Sequence, residues 1–297
     1  MRFVTYMLNN MVKYGVLRDE KTLVPIGELL DGELNEIPAT LADFIEASDD
    51  RIIHAMKEKL KGAKLSSIPL EDVKIMAPIP YPRRNIICLG KNYARHAQEV
   101  AGTIKGGGDM PREPVYFSKF ASPAIGTGDY IMAHESVTSC LDYEVELAVV
   151  MGKNGRDIKR DEAEDYIFGY TIINDVTARD LQMAHGQWFR GKSLDTFCPM
   201  GPCILHKSEA PFPVKLNISC SVNGELRQFA NTGDMTFDIA YIITQISRGI
   251  ELKAGDIIAT GTPQGVGIGF DPPRYLNPGD VVSCAIEKIG TLTNIVK

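Results

Sequence analysis

Between Leu141 and Leu147 the chain alternates apolar and acidic residues, Leu141-Asp142-Tyr143-Glu144-Val145-Glu146-Leu147, and then runs on through Ala148-Val149-Val150. A period of two is that of a strand, so Tyr143, Val145 and Leu147 share one face while Asp142, Glu144 and Glu146 share the other. Acidic residues are poor strand formers and neighbouring like charges repel. Such a strand therefore needs either a solvated outer face, common in antiparallel sheets, or a cation set against it. The stretch taken alone leaves both open.

The rest of the chain places this strand in a β-rich setting. From Arg83 onward, short apolar runs at Ile86 to Leu89, Val115 to Phe117, Glu144 to Val150, Tyr170 to Ile173, Ile218 to Val222, Ile257 to Ala259 and Val281 to Ile286 read as strands. Helical patterns are fewer, at Arg160 to Tyr166, Thr177 to His185 and Phe237 to Arg248. The mixture predicts an α+β domain and not a regular βαβ repeat. Ahead of it, Arg2 to Met7 and Tyr14 to Leu17 read as strands, and Thr40 to Leu60 carries a helical pattern. Pro78-Ile79-Pro80-Tyr81-Pro82 excludes helix and stiffens the chain. These features divide the sequence into a small N-terminal domain, 1–77, and a catalytic domain, 78–297. The triple glycine Gly106-Gly107-Gly108 marks a loop tip.

Composition narrows the function classes. A net charge of -6 and no clustered Lys or Arg argue against a nucleic-acid partner. No apolar run approaches a membrane span, and the opening residues are broken by Asn9, Asn10 and Lys13, unlike a signal peptide. Six cysteines without a C-x-x-C pair read as reduced thiols of a cytoplasmic protein.

Several residues are equipped for chemistry. Asp175 stands just beyond Tyr170-Thr171-Ile172-Ile173, either as a third acid or as the N-cap of the helix that follows. If Glu144, Glu146 and Asp175 converge, three hard oxygen ligands suit Mg²⁺ or Mn²⁺. Zinc fits less well, because no Cys/His cluster accompanies the acids. His96 and Glu99, three apart, would share a helix face, where a carboxylate beside an imidazole raises its basicity; an exposed surface pair is the alternative. Lys192 could place a cation near a developing oxyanion, or simply be solvated. The run Ala259-Thr260-Gly261-Thr262-Pro263-Gln264-Gly265-Val266-Gly267 could hold a substrate carboxylate on its amides, or be an ordinary turn. His54, His134, His185 and His206 have no comparable neighbours and read as structural or surface residues.

Taken together, the segments from Pro78 to the C-terminus resemble the fumarylacetoacetate hydrolase family, and the order of motifs carries the likeness. Asp142-Tyr143-Glu144-Val145-Glu146-Leu147 is similar to the family's paired-glutamate metal strand, and Asn174-Asp175-Val176-Thr177-Ala178-Arg179-Asp180-Leu181-Gln182 to the segment supplying a third ligand. The resemblance implies that Glu144, Glu146 and Asp175 hold Mg²⁺ or Mn²⁺, and that Arg179, Gln182 and Thr262 face substrate. It makes Lys192, His96 and Glu99 catalytic residues. The segment carrying the last two would close over substrate, so Asn92 to Pro111 is expected to be mobile without ligand. Where larger members carry an aspartate upstream of the histidine, this chain has Lys91, Asn92 and Tyr93. That departure weakens the case for fumarylacetoacetate itself. The family likeness further implies a mixed β-sandwich roll and a homodimer. The expected activity is metal-dependent hydrolysis of a carbon–carbon bond in a 2,4-dioxo acid, with His96 activating water. Lys192-Ser193-Leu194-Asp195-Thr196-Phe197 through Pro202 resembles the bacterial branch that includes oxaloacetate decarboxylases, so decarboxylation or isomerisation of a 2-oxo acid is the alternative. A catalytically silent binding module is the contrasting reading, and the retained acids, His96, Glu99 and Lys192 argue against it.

Overall fold

The computed structural model describes residues 1–62, 64–101, 110–121 and 123–297. The triple glycine and positions 102–109 of the expected mobile stretch lie outside the described residues. The described part of that stretch is packed in place: residues 94–99 form a helix, with His96, Ala97 and Val100 buried.

The acidic run is not one strand: Leu141–Asp142 pairs separately with Thr177–Ala178, Tyr143 and Glu144 bridge the break, and the main strand is Val145–Met151, every residue of which is buried. It is central to a sheet of 11 strands among the described residues. On one side lie Ile167–Asn174, Met200–His206, Arg2–Leu8, Met11–Leu17, Thr22–Pro25 and Ile68–Pro69 in turn, with Lys74–Ile75 also pairing to Arg2–Leu8. On the other lie Ile257–Ala259, Ile86–Gly90 and Val115–Lys119. The pairing of Ile257–Ala259 with Ile86–Gly90 is parallel, its neighbours antiparallel, which makes the sheet mixed. A second sheet of five strands stacks on it, in the order Glu225–Asn231, Asn217–Val222, Val281–Ile286, Gly290–Val296 and Tyr130–Ile131. Leu147 and Val149 from the first sheet share a core with Ile218, Cys220, Cys284 and Leu292 from the second. Each such side chain contributes about 1.5–3 kcal/mol on burial, which is what holds two sheets face to face. The α+β class and the mixed sandwich expected from the sequence are thus found.

Residues 1–77 do not make a core of their own. Arg2–Leu8 pairs antiparallel with Met200–His206, and the Phe3 ring lies 5.2 Å from Phe168 and 5.5 Å from Phe44. The proline connector therefore marks a change of path within one continuous sheet. The single helix expected over Thr40 to Leu60 is two, Leu41–Ala47 and Asp50–Gly62. Ser48 turns extended, and the Asp49 carboxylate accepts from the Ile52 amide at 2.8 Å to restart the helix. Short polar side chains compete with the helical ladder in this way. Arg160 to Tyr166 is likewise not a full helix but a 3-10 turn over Ala163–Tyr166. Thr177 to His185 opens as strand, Thr177–Ala178, and becomes helical over Arg179–Ala184. Among the described residues no helix is long and apolar enough to cross a membrane.

Candidate metal centre

Strand register brings the third acid to the first two. Val145–Met151 pairs with Ile167–Asn174 so that Val145 faces Asn174. One residue beyond, the Asp175 amide donates to the Glu144 carbonyl at 2.8 Å, and the Glu144 amide donates to the Asn174 side chain at 2.9 Å. Glu144, Glu146 and Asp175 consequently present carboxylate oxygens that all lie within 4.8 Å of one another. The solvated-face reading fails, because Asp142, Glu144 and Glu146 are 0%, 5% and 1% exposed. The N-cap reading of Asp175 fails as well, since helix Arg179–Ala184 starts after Ala178 and has no side-chain cap.

Three buried cations answer most of this charge. Arg179 Nη1 lies 2.6 Å and Lys192 Nζ 2.7 Å from Glu144. Burial pushes the Glu144 carboxyl up, but Lys192 and Arg179 outweigh it and bring it down to about 2. Lys192 also reaches Asp175 at 2.7 Å, and burial, which disfavours its charge, is overcome by Asp175 and Glu144, so its pKa rises. Lys119, which sequence reasoning missed, is fully buried and donates to Asp175 and to the Phe197 carbonyl. Its sequence signal is a lysine closing the apolar strand Val115–Lys119. Arg179 Nε donates a hydrogen bond to the Asp142 carboxylate at 2.8 Å.

Glu146 is the exception. Among the described residues no lysine or arginine pairs with it; it accepts from the Gly261 amide at 2.8 Å. Burial first, then Asp175 and Glu144, push its carboxyl well above the usual range. Four buried acids, Asp142, Glu144, Glu146 and Asp175, stand against three cations, Lys119, Arg179 and Lys192. A divalent cation on the oxygens of Glu144, Glu146 and Asp175 would supply the missing charge, and an all-oxygen donor set suits a hard ion.

The helix Ala94–Glu99 is pinned at its start by Asn92, whose Nδ2 donates to the Phe237 and Thr260 carbonyls at 3.0 and 2.9 Å. His96 Nδ1 lies 3.3 Å from Glu99 Oε2, and Glu99 Oε1 accepts from the Gly265 amide at 2.7 Å. With Nδ1 facing a carboxylate, Nε2 is the ring atom that can exchange a proton. The glycine-rich loop behaves differently from either expectation, because its amides bind the protein's own acids. Gly261 serves Glu146, Gly265 serves Glu99, and Gly267 and Ile268 serve Asp142 at 2.6 and 3.0 Å. The approach is close enough to require glycine: a Cβ on Gly267 would sit 2.6 Å from Asp142 Oδ1, and one on Gly269 2.3 Å from the Glu99 carboxyl carbon.

Residues 85–297 match the family model described as fumarylacetoacetate (FAA) hydrolase C-terminal. The chain belongs to the fumarylacetoacetate hydrolase family. A relative within it, oxaloacetate tautomerase YisK of Bacillus subtilis (strain 168), is 46% identical over 302 residues, covering 99% of both chains. Oxaloacetate tautomerase FAHD2B, mitochondrial, of Bos taurus is 40% identical, over 88% of this chain and 80% of its own. A solved structure, the fumarylacetoacetate hydrolase of psychrophilic Exiguobacterium antarcticum, superposes with a TM-score of 0.83 at 40% identity, covering 100% of this chain and 99% of that one.

In this family member, His96, Glu144, Arg179, Gln182, Lys192 and Thr262 line one cavity with about 20 Å³ of free space, room for about one water molecule. Glu99 and Asp175 contact two of those residues, His96 and Lys192, while Glu146 is held by the Gly261 amide. Arg179 Nη1 donates to Gln182 at 3.0 Å, while Nη2 is buried with no partner among the described residues. A larger cavity of about 660 Å³, lined by Arg160, Phe212, Lys215 and Asp238 among others, gathers no comparable cluster of acids. Chemistry, not size, distinguishes the site.

Proposed function

We propose that the protein is a metal-dependent oxaloacetate tautomerase or close 2-oxo acid isomerase, interconverting the keto and enol forms of its substrate. The observation that carries this reading is that the His96 imidazole, backed by Glu99, lines the same small buried cavity as the Lys192 ammonium. Tautomerisation requires only that a proton leave one carbon and another reach an oxygen two bonds away. His96 Nε2 takes the proton from the carbon next to the 2-oxo group. Lys192 donates hydrogen bonds to Glu144 and Asp175, which leaves its third proton to hydrogen-bond the 2-oxo oxygen as it gains negative charge, and the protonated His96 then passes its proton to that oxygen, so the base is regenerated as the enol forms. Arg179 Nη2 offers a free cationic donor to a substrate carboxylate. Glu144, Glu146 and Asp175 would hold Mg²⁺ or Mn²⁺, which would supply Lewis-acid polarisation of the 2-oxo acid.

Two relatives named oxaloacetate tautomerase, the nearer 46% identical over the full length, support this assignment over the carbon–carbon hydrolysis first expected from the sequence. Hydrolysis needs an attacking water in addition, whereas the tautomerase needs one base and one acid. The helix bearing His96 must move to admit substrate, because the cavity has room for little more than a water. We further propose a homodimer acting on a small 2-oxo acid, as the family implies, and a cytoplasmic location, as the six cysteines without a C-x-x-C pair suggest. The test follows the ultraviolet absorbance of enol-oxaloacetate with Mg²⁺ or Mn²⁺ present, alongside pyruvate release from oxaloacetate and hydrolysis of acylpyruvates. Fast enol decay without matching hydrolysis is the expected outcome. Efficient acylpyruvate cleavage with no effect on the enol would sink the reading.

A further inference from the structure

Gln228 lies on Glu225–Asn231, the outermost strand of the smaller sheet, yet its side chain is fully buried and reaches across to the metal strand. Its Oε1 accepts from the Val145 amide at 3.0 Å, and its Nε2 donates to Thr262 Oγ1 and to the Pro263 carbonyl, both at 2.8 Å. Val145 is the residue between Glu144 and Glu146. Its carbonyl is occupied too, accepting from Thr262 Oγ1 at 2.9 Å.

The reason these side chains are needed is in the ladder. Ile257–Ala259 pairs with the metal strand as far as Ala148 opposite Ala259, and one more backbone bond follows, from the Thr260 amide to the Leu147 carbonyl at 3.0 Å, before side chains take over at Val145. At Val145 side chains do the work of a missing strand: Thr262 donates to its carbonyl, and Gln228 accepts from its amide. Buried backbone polar groups left without partners are costly, so the peptide groups on either side of Val145 are held where the Gln228 and Thr262 side chains place them.

We propose that Gln228 is a positioning residue for the metal centre, acting through Val145 on Glu144 and Glu146 and through Thr262 on the substrate. The Thr262 hydroxyl has one proton, committed to Val145, and Gln228 occupies one of its lone pairs. The remaining lone pair makes Thr262 an acceptor toward the cavity it lines. An acceptor there favours a substrate that presents an O–H, as an enol does and a ketone does not. This second branch rests on the tautomerase reading; the first rests only on the metal site.

The experiment strips purified protein of metal and measures Mn²⁺ affinity by calorimetry, then turnover of enol-oxaloacetate, for wild type, Gln228→Met and Gln228→Glu, with thermal melts to establish the folded fraction. Gln228→Met removes all three hydrogen bonds and should weaken Mn²⁺ binding by roughly 10–100-fold, the range typical of groups that orient metal ligands. Gln228→Glu retains an acceptor for the Val145 amide and should bind Mn²⁺ more tightly than the Met variant, while kcat falls in both. It also serves if the Met variant does not fold. Folded variants with unchanged Mn²⁺ affinity and turnover, or variants whose losses only track the unfolded fraction, would overturn the proposal. Wild type that binds Mn²⁺ but does not act on oxaloacetate would instead sink the tautomerase reading, and the Mn²⁺ comparison would still decide the role of Gln228.

Discussion

Glu146→Gln should make the metal-free protein more stable and the metal-loaded protein less so. In the absence of metal, Glu146 is 1% exposed, faces Asp175 and Glu144, and has no cationic partner among the described residues. Glutamine keeps the shape and the acceptor for the Gly261 amide and removes the charge. The desolvation penalty relieved is about 1–3 kcal/mol, the usual cost of a buried group left unsatisfied. At roughly 2–4 °C per kcal/mol, the melting temperature in the presence of chelator should rise by roughly 2–12 °C. Metal reverses the order: at a hundredfold excess over Kd, wild type gains about 2.7 kcal/mol, a gain the variant forfeits with its ligand. The assay is a thermal melt of both proteins across a Mn²⁺ titration, at mildly alkaline pH. The pH dependence has a defined sign. Because the folded-state pKa of Glu146 is raised, its contribution to metal-free stability is present below the ordinary carboxylate value and is lost as pH rises through the folded value. Glu144 acts oppositely, contributing above the ordinary value and losing its contribution as pH falls toward about 2. Glu146→Gln should abolish the alkaline-side loss and leave the acid-side loss. A variant less stable than wild type in chelator, or one that keeps full Mn²⁺ stabilisation, would refute the argument.

Three further outcomes are expected. His96→Ala should cut turnover by ~10²–10⁴-fold, the usual contribution of a general base, while Mn²⁺ affinity measured by calorimetry stays near wild type. Lys119→Met strands Asp175 beside a single remaining cation, so denaturant unfolding without metal should show a loss of about 3–5 kcal/mol, and saturating Mn²⁺ should restore part of it. Gly269→Ala drives a methyl into the Glu99 carboxylate and should lower kcat by roughly 10-fold or more, within the range a general base supplies, with little change in metal affinity; steady-state kinetics beside a Mn²⁺ titration will check it.

The sequence by itself determined which residues could carry the chemistry and in what order they occur. The alternation at Leu141 to Leu147 specified extended backbone with acids on one side, because side-chain direction follows from a local period of two, but not the break that divides it into Leu141–Asp142 and Val145–Met151. The motif order supported the family, and with it the sandwich and the candidate residues Glu144, Glu146, Asp175, Lys192 and His96. Tertiary structure decided the rest, through contacts between residues far apart in the chain. Whether the acidic face met water or was buried against cations depended on what covers the side of the first sheet turned away from the second, where Lys119, Arg179 and Lys192 meet the acids. Lys119 became a partner of Asp175, 56 positions away, and Gln228 a partner of Val145, 83 positions away, only once strands were paired and stacked. The glycine-rich loop read locally as a substrate cradle, and only packing showed its amides spent on Asp142, Glu99 and Glu146. Local patterns report what a backbone can adopt, whereas the partners of a buried charge are set by register and layer, which no window of neighbouring residues contains.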